Sequence, residues 1–226
     1  VSAYTSYRIY CDFSKMNAVE INNLVKIYDN KFQALNKINL TIPEGAFFGL
    51  LGPNGAGKTT TIGILTGLVN KTSGSAKVFG YDTIDNFREA RARIGLSPQE
   101  LNFDVFFTIE ELLTLQAGYF NKDKKEAKKR ALEMLEYFKL TDKRKCKARE
   151  LSGGMKRRVQ IAKAFIHDPP LIILDEPTAG VDVNLRNSLW NYIKKLNKRG
   201  TTICLTTHYL EEAEILCDYI TIIDKG

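Results

Sequence analysis

Cysteine is scarce in this chain of 226 residues, and its four copies are scattered at Cys11, Cys146, Cys204 and Cys217. None forms a C-x-x-C pair, so neither a zinc ribbon nor a disulfide framework is expected. The usage fits a reducing compartment. Histidine is scarcer, with only His167 and His208, and no histidine cluster supplies metal ligands. No apolar run approaches the roughly 18 residues of a membrane span. The chain is therefore expected to be soluble by itself, with any membrane role reached through a partner. Residues 1–15 lack a basic start followed by an apolar core, so they do not read as a signal peptide. There is no internal repeat and no low-complexity stretch. Charged residues at 26% and apolar residues at 44% are ordinary for a globular protein and exclude disorder as a description of the whole chain.

The charge is one-sided, with 33 Lys and Arg against 26 Asp and Glu, a net +7. Such a balance permits nucleic acid, acidic membrane surfaces or phosphorylated ligands and selects none of them. Much of the excess falls between Lys122 and Lys147, where a solvated helix face accounts for it.

Residues 1–15 show no clean period and read as an extension outside the core, translated from upstream of the usual start. Residues 16–226 read as one domain. Ala18–Tyr28 and Ala34–Ile42 carry β-branched residues in partial alternation, and Pro43-Glu44-Gly45 is a turn. Ala46–Leu51 is almost wholly apolar, as in a strand buried on both faces. A Gly-rich loop and the helical pattern Lys58–Leu68 follow, then a strand at Lys77–Phe79. From about 100 to 168 the chain reads as a helical insertion. Thr108 and Glu111 form a capping box before Leu112, Leu113 and Leu115. Ala127, Ala131, Leu135 and Phe138 share a helix face, and Ser152 caps a further helix with Val159, Ala162 and Phe165 inward. His167 ends that helix and reads as a cap interaction. Strands at Leu171–Leu174, Thr202–Thr206 and Tyr219–Ile223 then alternate with helices at Leu185–Leu196 and Leu210–Leu216. The expected class is α/β, with a parallel-type sheet interrupted by the helices. Lys225-Gly226 directly follows a strand, so a C-terminal portion is expected to lie beyond it.

Three segments carry chemistry. Gly52, Pro53, Asn54, Gly55, Ala56, Gly57, Lys58 and Thr59 fit G-x-x-x-x-G-K-[ST] between a strand and a helix, and Thr60 follows on the same helix start. Glycines let a backbone curl around phosphates, and successive N–H groups point at the anion. Lys58 can reach the β- and γ-phosphates, and the Thr59 hydroxyl is placed to ligate Mg²⁺. In the second, the apolar strand Leu171–Leu174 ends in Asp175 and Glu176. At the carboxyl end of such a strand, Asp175 would face Mg²⁺ and Glu176 would act as general base or orient the attacking water. The third, Ser152-Gly153-Gly154, begins a helix with a second set of anion-directed N–H groups. One γ-phosphate cannot easily be reached by both helix starts of the same chain.

With these motifs in this order, the chain from about Ala18 to Gly226 resembles the nucleotide-binding subunit of an ABC transporter. The resemblance implies a P-loop NTPase of the ABC type, with an antiparallel β subdomain and an inserted α-helical subdomain. It implies ATP and Mg²⁺ as cofactors and ATP hydrolysis as the activity. It assigns Ser152, Gly153 and Gly154 to the nucleotide held by a partner subunit, in a head-to-tail dimer of the chain with itself or with a sister subunit. Tyr28 matches the aromatic that stacks on adenine, although an edge-strand or core tyrosine remains an alternative there. Gln99 matches the glutamine that senses Mg²⁺ and the attacking water. Asp182, within Ala179-Gly180-Val181-Asp182, matches the loop that crosses the dimer interface, and His208 matches the γ-phosphate switch histidine. Glu176, His208, Gln99 and Lys58 are thereby the catalytic candidates, and Thr59, Gln99 and Asp175 the metal candidates.

Met155 after the signature glycines and the run Thr206–Glu214 resemble the branch containing drug, polyketide and glycan exporters. Export through a membrane-spanning permease subunit follows as the expected function, at the cytoplasmic face of the cell membrane, with the chain peripheral. Leu101–Phe107 is apolar and aromatic. It either receives a cytoplasmic helix of that partner or packs inside its own lobe. ABC-type ATPases acting on ribosomes or nucleic acid form the rival class. Those in translation usually pair two ATPase cores in one chain, and those in DNA repair insert a long coiled coil. Neither is present here, so no nucleic acid is expected.

Overall fold

The computed structural model describes residues 16–104, 106–178 and 183–226. The proposed extension 1–15 and Asp182 lie outside the described residues. Along the chain run β1 (Asn17–Ile27), β2 (Gln33–Pro43), β3 (Phe47–Leu51), α1 (Lys58–Leu65), β4 (Ser73–Val78) and β5 (Tyr81–Asp82). Next come α2 (Phe87–Ala92), β6 (Ile94–Ser97), α3 (Ile109–Tyr119), α4 (Lys124–Tyr137) and α5 (Gly153–Phe165). The chain closes with β7 (Leu171–Asp175), α6 (Val183–Asn197), β8 (Thr202–Thr207), α7 (Leu210–Leu216) and β9 (Tyr219–Ile222).

Two sheets share the work. The first is antiparallel, in the order β2-β1-β4-β5. Its half-buried strands carry the partial alternation seen in the sequence, with Val19 and Ile21 facing inward. The second is parallel, in the order β6-β7-β8-β3-β9. Every residue of β3, β7 and β8 is buried; β3 and Leu171–Leu174 accordingly read as apolar runs, whereas β8 also buries Thr202, Thr206 and Thr207. One apolar cluster joins the antiparallel sheet to α1 through Ile21, Leu35, Ile42 and Ile64. A second joins α3, α4 and α5 to the other side of the parallel sheet through Ile109, Leu135, Phe165 and Ile172.

The helices between β6 and β7 follow their local signals. Thr108 and Glu111 make the reciprocal capping box, and the Asp123 carboxylate caps α4 by accepting from the Lys125 and Glu126 N–H groups. Ala127, Ala131, Leu135 and Phe138 are buried, as are Val159, Ala162 and Phe165. Leu115 is exposed instead.

Three readings are corrected, and three elements had none. The first helix stops at Leu65, because the Leu68 and Val69 N–H groups fold back onto the Gly63 carbonyl with Gly67 left-handed at φ 70°. The strand placed at Lys77–Phe79 runs from Ser73 to Val78, where Phe79 turns to φ 47°. His167 is no helix cap. Its ring stacks flat on Phe120 at 3.4 Å, and burial pushes its pKa down to about 4, so a neutral imidazole packs there as an aromatic. Finally, β5, α2 and β6 carry no clear sequence signal. The strand β6 is only four residues long and is defined by its pairing with β7, Ile94 to Leu171 through Ser97 to Leu174.

Gly95 shows what that pairing demands. A Cβ there would lie 2.0 Å from the Ala164 carbonyl oxygen and 2.7 Å from Pro169 Cγ. Helix α5 therefore rests directly on the backbone of β6. Gly95→Ala should destabilise the fold by about 1–3 kcal/mol, as overpacking does, and lower the thermal midpoint by about 2–12 °C at this size. Thermal unfolding followed by circular dichroism checks this, and an unchanged midpoint would contradict the close packing.

Candidate active site

Parallel register brings the chemistry to one edge. Leu51 of β3 pairs with Thr207 of β8, Asp175 of β7 with Thr206, and Ser97 of β6 with Leu174. The chain leaving each of these strands therefore emerges at the carboxyl edge of the sheet, where open α/β sheets bind ligands. The Gly52–Thr60 loop, Glu176, His208 and Gln99 all start from that edge.

The loop is shaped by its glycines and its lysine. Gly57 caps α1 in the left-handed conformation, φ 108°, and no side chain caps the helix. A Cβ on Gly57 would sit 2.7 Å from Leu35 Cδ2 and 2.9 Å from the Ala34 carbonyl oxygen, so only glycine fits. Pro53, Asn54 and Gly55 are exposed, while Ala56 is buried. Lys58 is buried, and its ammonium donates to the carbonyls of Gly52 at 2.6 Å and Pro53 at 3.0 Å. A buried cation is thus held over the loop by neutral oxygens, poised to exchange them for an anion. The Tyr28 hydroxyl shares a hydrogen bond of 3.3 Å with Thr60 Oγ1, and the Lys26 ammonium lies 4.7 Å from the Tyr28 ring centre. Tyr28 therefore stands beside the start of α1 as a partly exposed ring.

The two carboxylates differ. Asp175 is buried and accepts a hydrogen bond from the Thr206 hydroxyl. Burial raises its pKa above the usual aspartate range. Glu176 adds to the rise, while Thr206, Lys58 and Thr59 oppose it. Thr59 and Asp175 thus lie side by side. Glu176 has a positive φ of 47°, which costs a non-glycine residue on the order of 1–3 kcal/mol. Its surroundings enforce it. The Glu176 N–H donates to Thr206 at its carbonyl, 3.2 Å, and at its hydroxyl, 3.1 Å. One carboxylate oxygen accepts from Gln99 Nε2 at 3.1 Å, and the other lies 3.2 Å from His208 Nδ1. Gln99, Glu176 and His208, from three different strands, so form one hydrogen-bonded row.

Oxygen donors at Thr59 and Asp175 beside the lysine loop suit a hard divalent cation. Among the described residues no cluster of three or more His, Cys, Asp or Glu could hold a metal by itself. That fits an ion bound mainly through phosphate oxygens and water. At the far helix start, Ser152 caps α5 by accepting from the Met155 N–H at 3.3 Å, with Ser152 and Gly153 exposed and Gly154 half-buried. Asp182 lies outside the described residues.

Several participants escaped the sequence reading. Thr206 binds both carboxylate residues, and its hydroxyl inside an apolar strand was the available signal. Glu212 is buried and accepts from Thr178 at 3.0 Å and from Thr207 at 3.3 Å, with Arg186 Nε at 3.6 Å. Arg157 and Gln160 reach the site from α5. Their three-residue spacing on the buried face of that helix marks them.

The family model described as "ABC transporter" matches residues 35–179. The Nod factor export ATP-binding protein I of Burkholderia orbicola (strain AU 1054) is 41% identical over 208 residues, covering 92% of this chain and 68% of that protein. The linearmycin resistance ATP-binding protein LnrL of Bacillus subtilis (strain 168) is 44% identical over 208 residues, covering 92% of this chain and 67% of that protein. Among solved structures, the dimeric post-hydrolysis state of the ATP-binding cassette MJ0796, bound to ADP and Pi, superposes with a TM-score of 0.85 at 31% identity. It covers 92% of this chain and 95% of that one. A structure described as the ATP binding subunit of an ABC transporter superposes with a TM-score of 0.86 at 31% identity, covering 92% of this chain and 87% of that one. With the Gly52–Thr59 loop, the paired carboxylates and the Ser-Gly-Gly helix start in these places, the chain belongs to the ABC transporter family, as an ATP-binding and ATP-hydrolysing subunit.

Proposed function

We propose that the chain powers export across a membrane, closing head to tail with a second copy or a sister subunit and driving a separate membrane-spanning permease. The observation that carries the hydrolytic half is the row Gln99–Glu176–His208 set against the Lys58 loop. Lys58 would leave the Gly52 and Pro53 carbonyls for the phosphates of ATP, with Tyr28 against adenine. Thr59 and Asp175, with Gln99, would hold Mg²⁺, which when bound neutralises charge on the phosphate oxygens. Glu176 would take a proton from the attacking water, and His208 and Gln99 would orient it. Ser152, Gly153 and Gly154 would present backbone N–H groups to the nucleotide of the facing subunit. A two-fold arrangement makes both sites equivalent.

Export rests on the export and resistance roles that the two relatives are named for and on Met155 with the run Thr206–Glu214. The transporter reading places the chain at the cytoplasmic face of the cell membrane as a peripheral subunit. No helix among the described residues is long and apolar enough to cross a membrane.

Contact with the permease is assigned to Leu101–Phe107. Phe103 tucks against the helical core with Lys163 Nζ 5.9 Å from its ring centre. Phe106 is 78% exposed, with Phe107 and Leu101 beside it also open. Phe106 is therefore the residue to test. Affinity capture of the full chain from gently solubilised membranes should bring down a multi-span membrane protein in stoichiometric amount. Phe106→Glu should lose that partner while ATPase activity stays within about twofold, since the side chain is open to solvent. Recovery of ribosomal proteins or nucleic acid without a membrane protein would overturn the transporter reading. Unchanged capture by Phe106→Glu would move the contact elsewhere.

A further inference from the structure

Arg157 lies in the second turn of α5 and is 5% exposed, although it belongs to the basic run Lys156-Arg157-Arg158. Its Nη1 donates to the Pro98 carbonyl at 3.0 Å and to Gln160 Oε1 at 3.2 Å, and its Nη2 to the Glu176 carbonyl at 3.4 Å. Gln160, also buried, donates through Nε2 to the carbonyls of Pro98 at 2.9 Å and Glu100 at 2.5 Å. The backbone on both sides of Gln99 is thus tied to α5, and so is the backbone of Glu176.

We propose that Arg157, supported by Gln160, is a positioning residue for hydrolysis. It sets the separation of Gln99 and Glu176 and fixes both to the helix that begins at Ser152. The proposal rests on the reading of Glu176 as the base. A guanidinium suits the task because it is a rigid planar fork of donors with no acceptor, able to hold two carbonyls at a fixed angle. A lysine ammonium can satisfy one carbonyl but cannot fix the angle between two. Arg157 touches neither carboxylate oxygen of Glu176 in these bonds, so its effect passes through backbone placement. The helix start and the hydrolytic pair then move as one body.

The test uses the full chain, with steady-state ATPase kinetics, ATP affinity by displacement of a fluorescent analogue, and thermal midpoints. Arg157→Met should lower kcat by about 10- to 100-fold, the scale of a misplacement of about 1 Å, with ATP affinity held within about twofold. Arg157→Lys should recover part of the loss. The double variant Arg157→Met with Glu176→Gln should be no slower than Glu176→Gln alone, because the two act on one step. Arg158→Met is the comparison. Arg158 donates to the Phe138 and Lys139 carbonyls, away from the row, so its variant should change stability without a selective fall in kcat. If Arg157→Met proves unfolded, Gln160→Leu and Arg157→Lys carry the same split between kcat and affinity. With Glu176→Gln slow, a parental kcat in the Arg157 variants overturns the proposal alone. So does a fall in kcat matched by equal losses of affinity, or a double variant that multiplies the two defects. Normal turnover in Glu176→Gln by itself overturns the reading beneath it.

Discussion

Glu176→Gln should cut ATP turnover by at least about 10²-fold, the usual scale for losing a positioned acid–base group, while ATP affinity stays near the parental value. The side chain keeps its volume. The positive φ at this position is enforced by Thr206 and by Arg157, both acting on the backbone, so the substitution leaves the local conformation in place. A carboxamide oxygen can still accept from Gln99, and His208 can still meet the amide. What disappears is a negative oxygen able to receive a proton. Nucleotide should therefore bind and draw subunits together without being released by hydrolysis. Single-turnover ATPase assays and size-exclusion chromatography with ATP check both halves. Near-normal turnover would remove Glu176 from the role.

Lys58→Ala should act one step earlier. Hydrogen bonds to charged groups contribute about 1.5–3 kcal/mol each, so ATP affinity should fall by about 10- to 150-fold. Lys58 donates to the carbonyls of Gly52 and Pro53. Its loss there removes two bonds to neutral groups and should leave the fold intact. The measurement that separates the effects is the rise in thermal midpoint on adding ATP. Saturating ligand at 100 times Kd stabilises a protein by about 2.7 kcal/mol. The parent should show that rise, and the variant at the same ATP concentration should show between about a half and a tenth of the stabilisation. An undiminished rise would mean that Lys58 does not meet the phosphates.

Much of the fold is legible because its signals are local. The burial of β3 and of Leu171–Leu174 in β7 on both faces is written as apolar runs, and Thr108 with Glu111 announces α3. The G-x-x-x-x-G-K-T loop and the Asp-Glu step at a strand end are equally local. What escaped depends on partners distant in sequence. Strand β6 exists because Ile94–Ser97 meets Leu171–Leu174. His167 became an aromatic spacer because Phe120 lies flat against it. Phe103 and Phe106 look alike in the sequence, yet only one finds a core to enter. Arg157 was hidden by its neighbours. In a basic run, residue type suggests a solvated face, whereas position on the helix, in line with Gln160 and Ile161, places it inside. The left-handed turn at Glu176 had no sequence signal, because the residue alone disfavours it.

The position of β3 in the sheet has a consequence for how the molecule is made. The strand Phe47–Leu51 leads directly into the loop bearing Lys58, yet its two neighbours are β8, Thr202–Thr207, and β9, Tyr219–Ile222. During synthesis from the N-terminus, Phe47, Phe48, Leu50 and Leu51 wait for both neighbours. At roughly 5–20 residues per second the wait is on the order of 10–30 s. Throughout it the antiparallel sheet and the helices from α1 to α6 emerge, since all of them precede β8 in the chain. A ribosome stalled before β8 would therefore hold a chain with most of its helices and with β3 lacking both of its neighbours, exposing a strand apt to pair with its like on a neighbouring nascent chain.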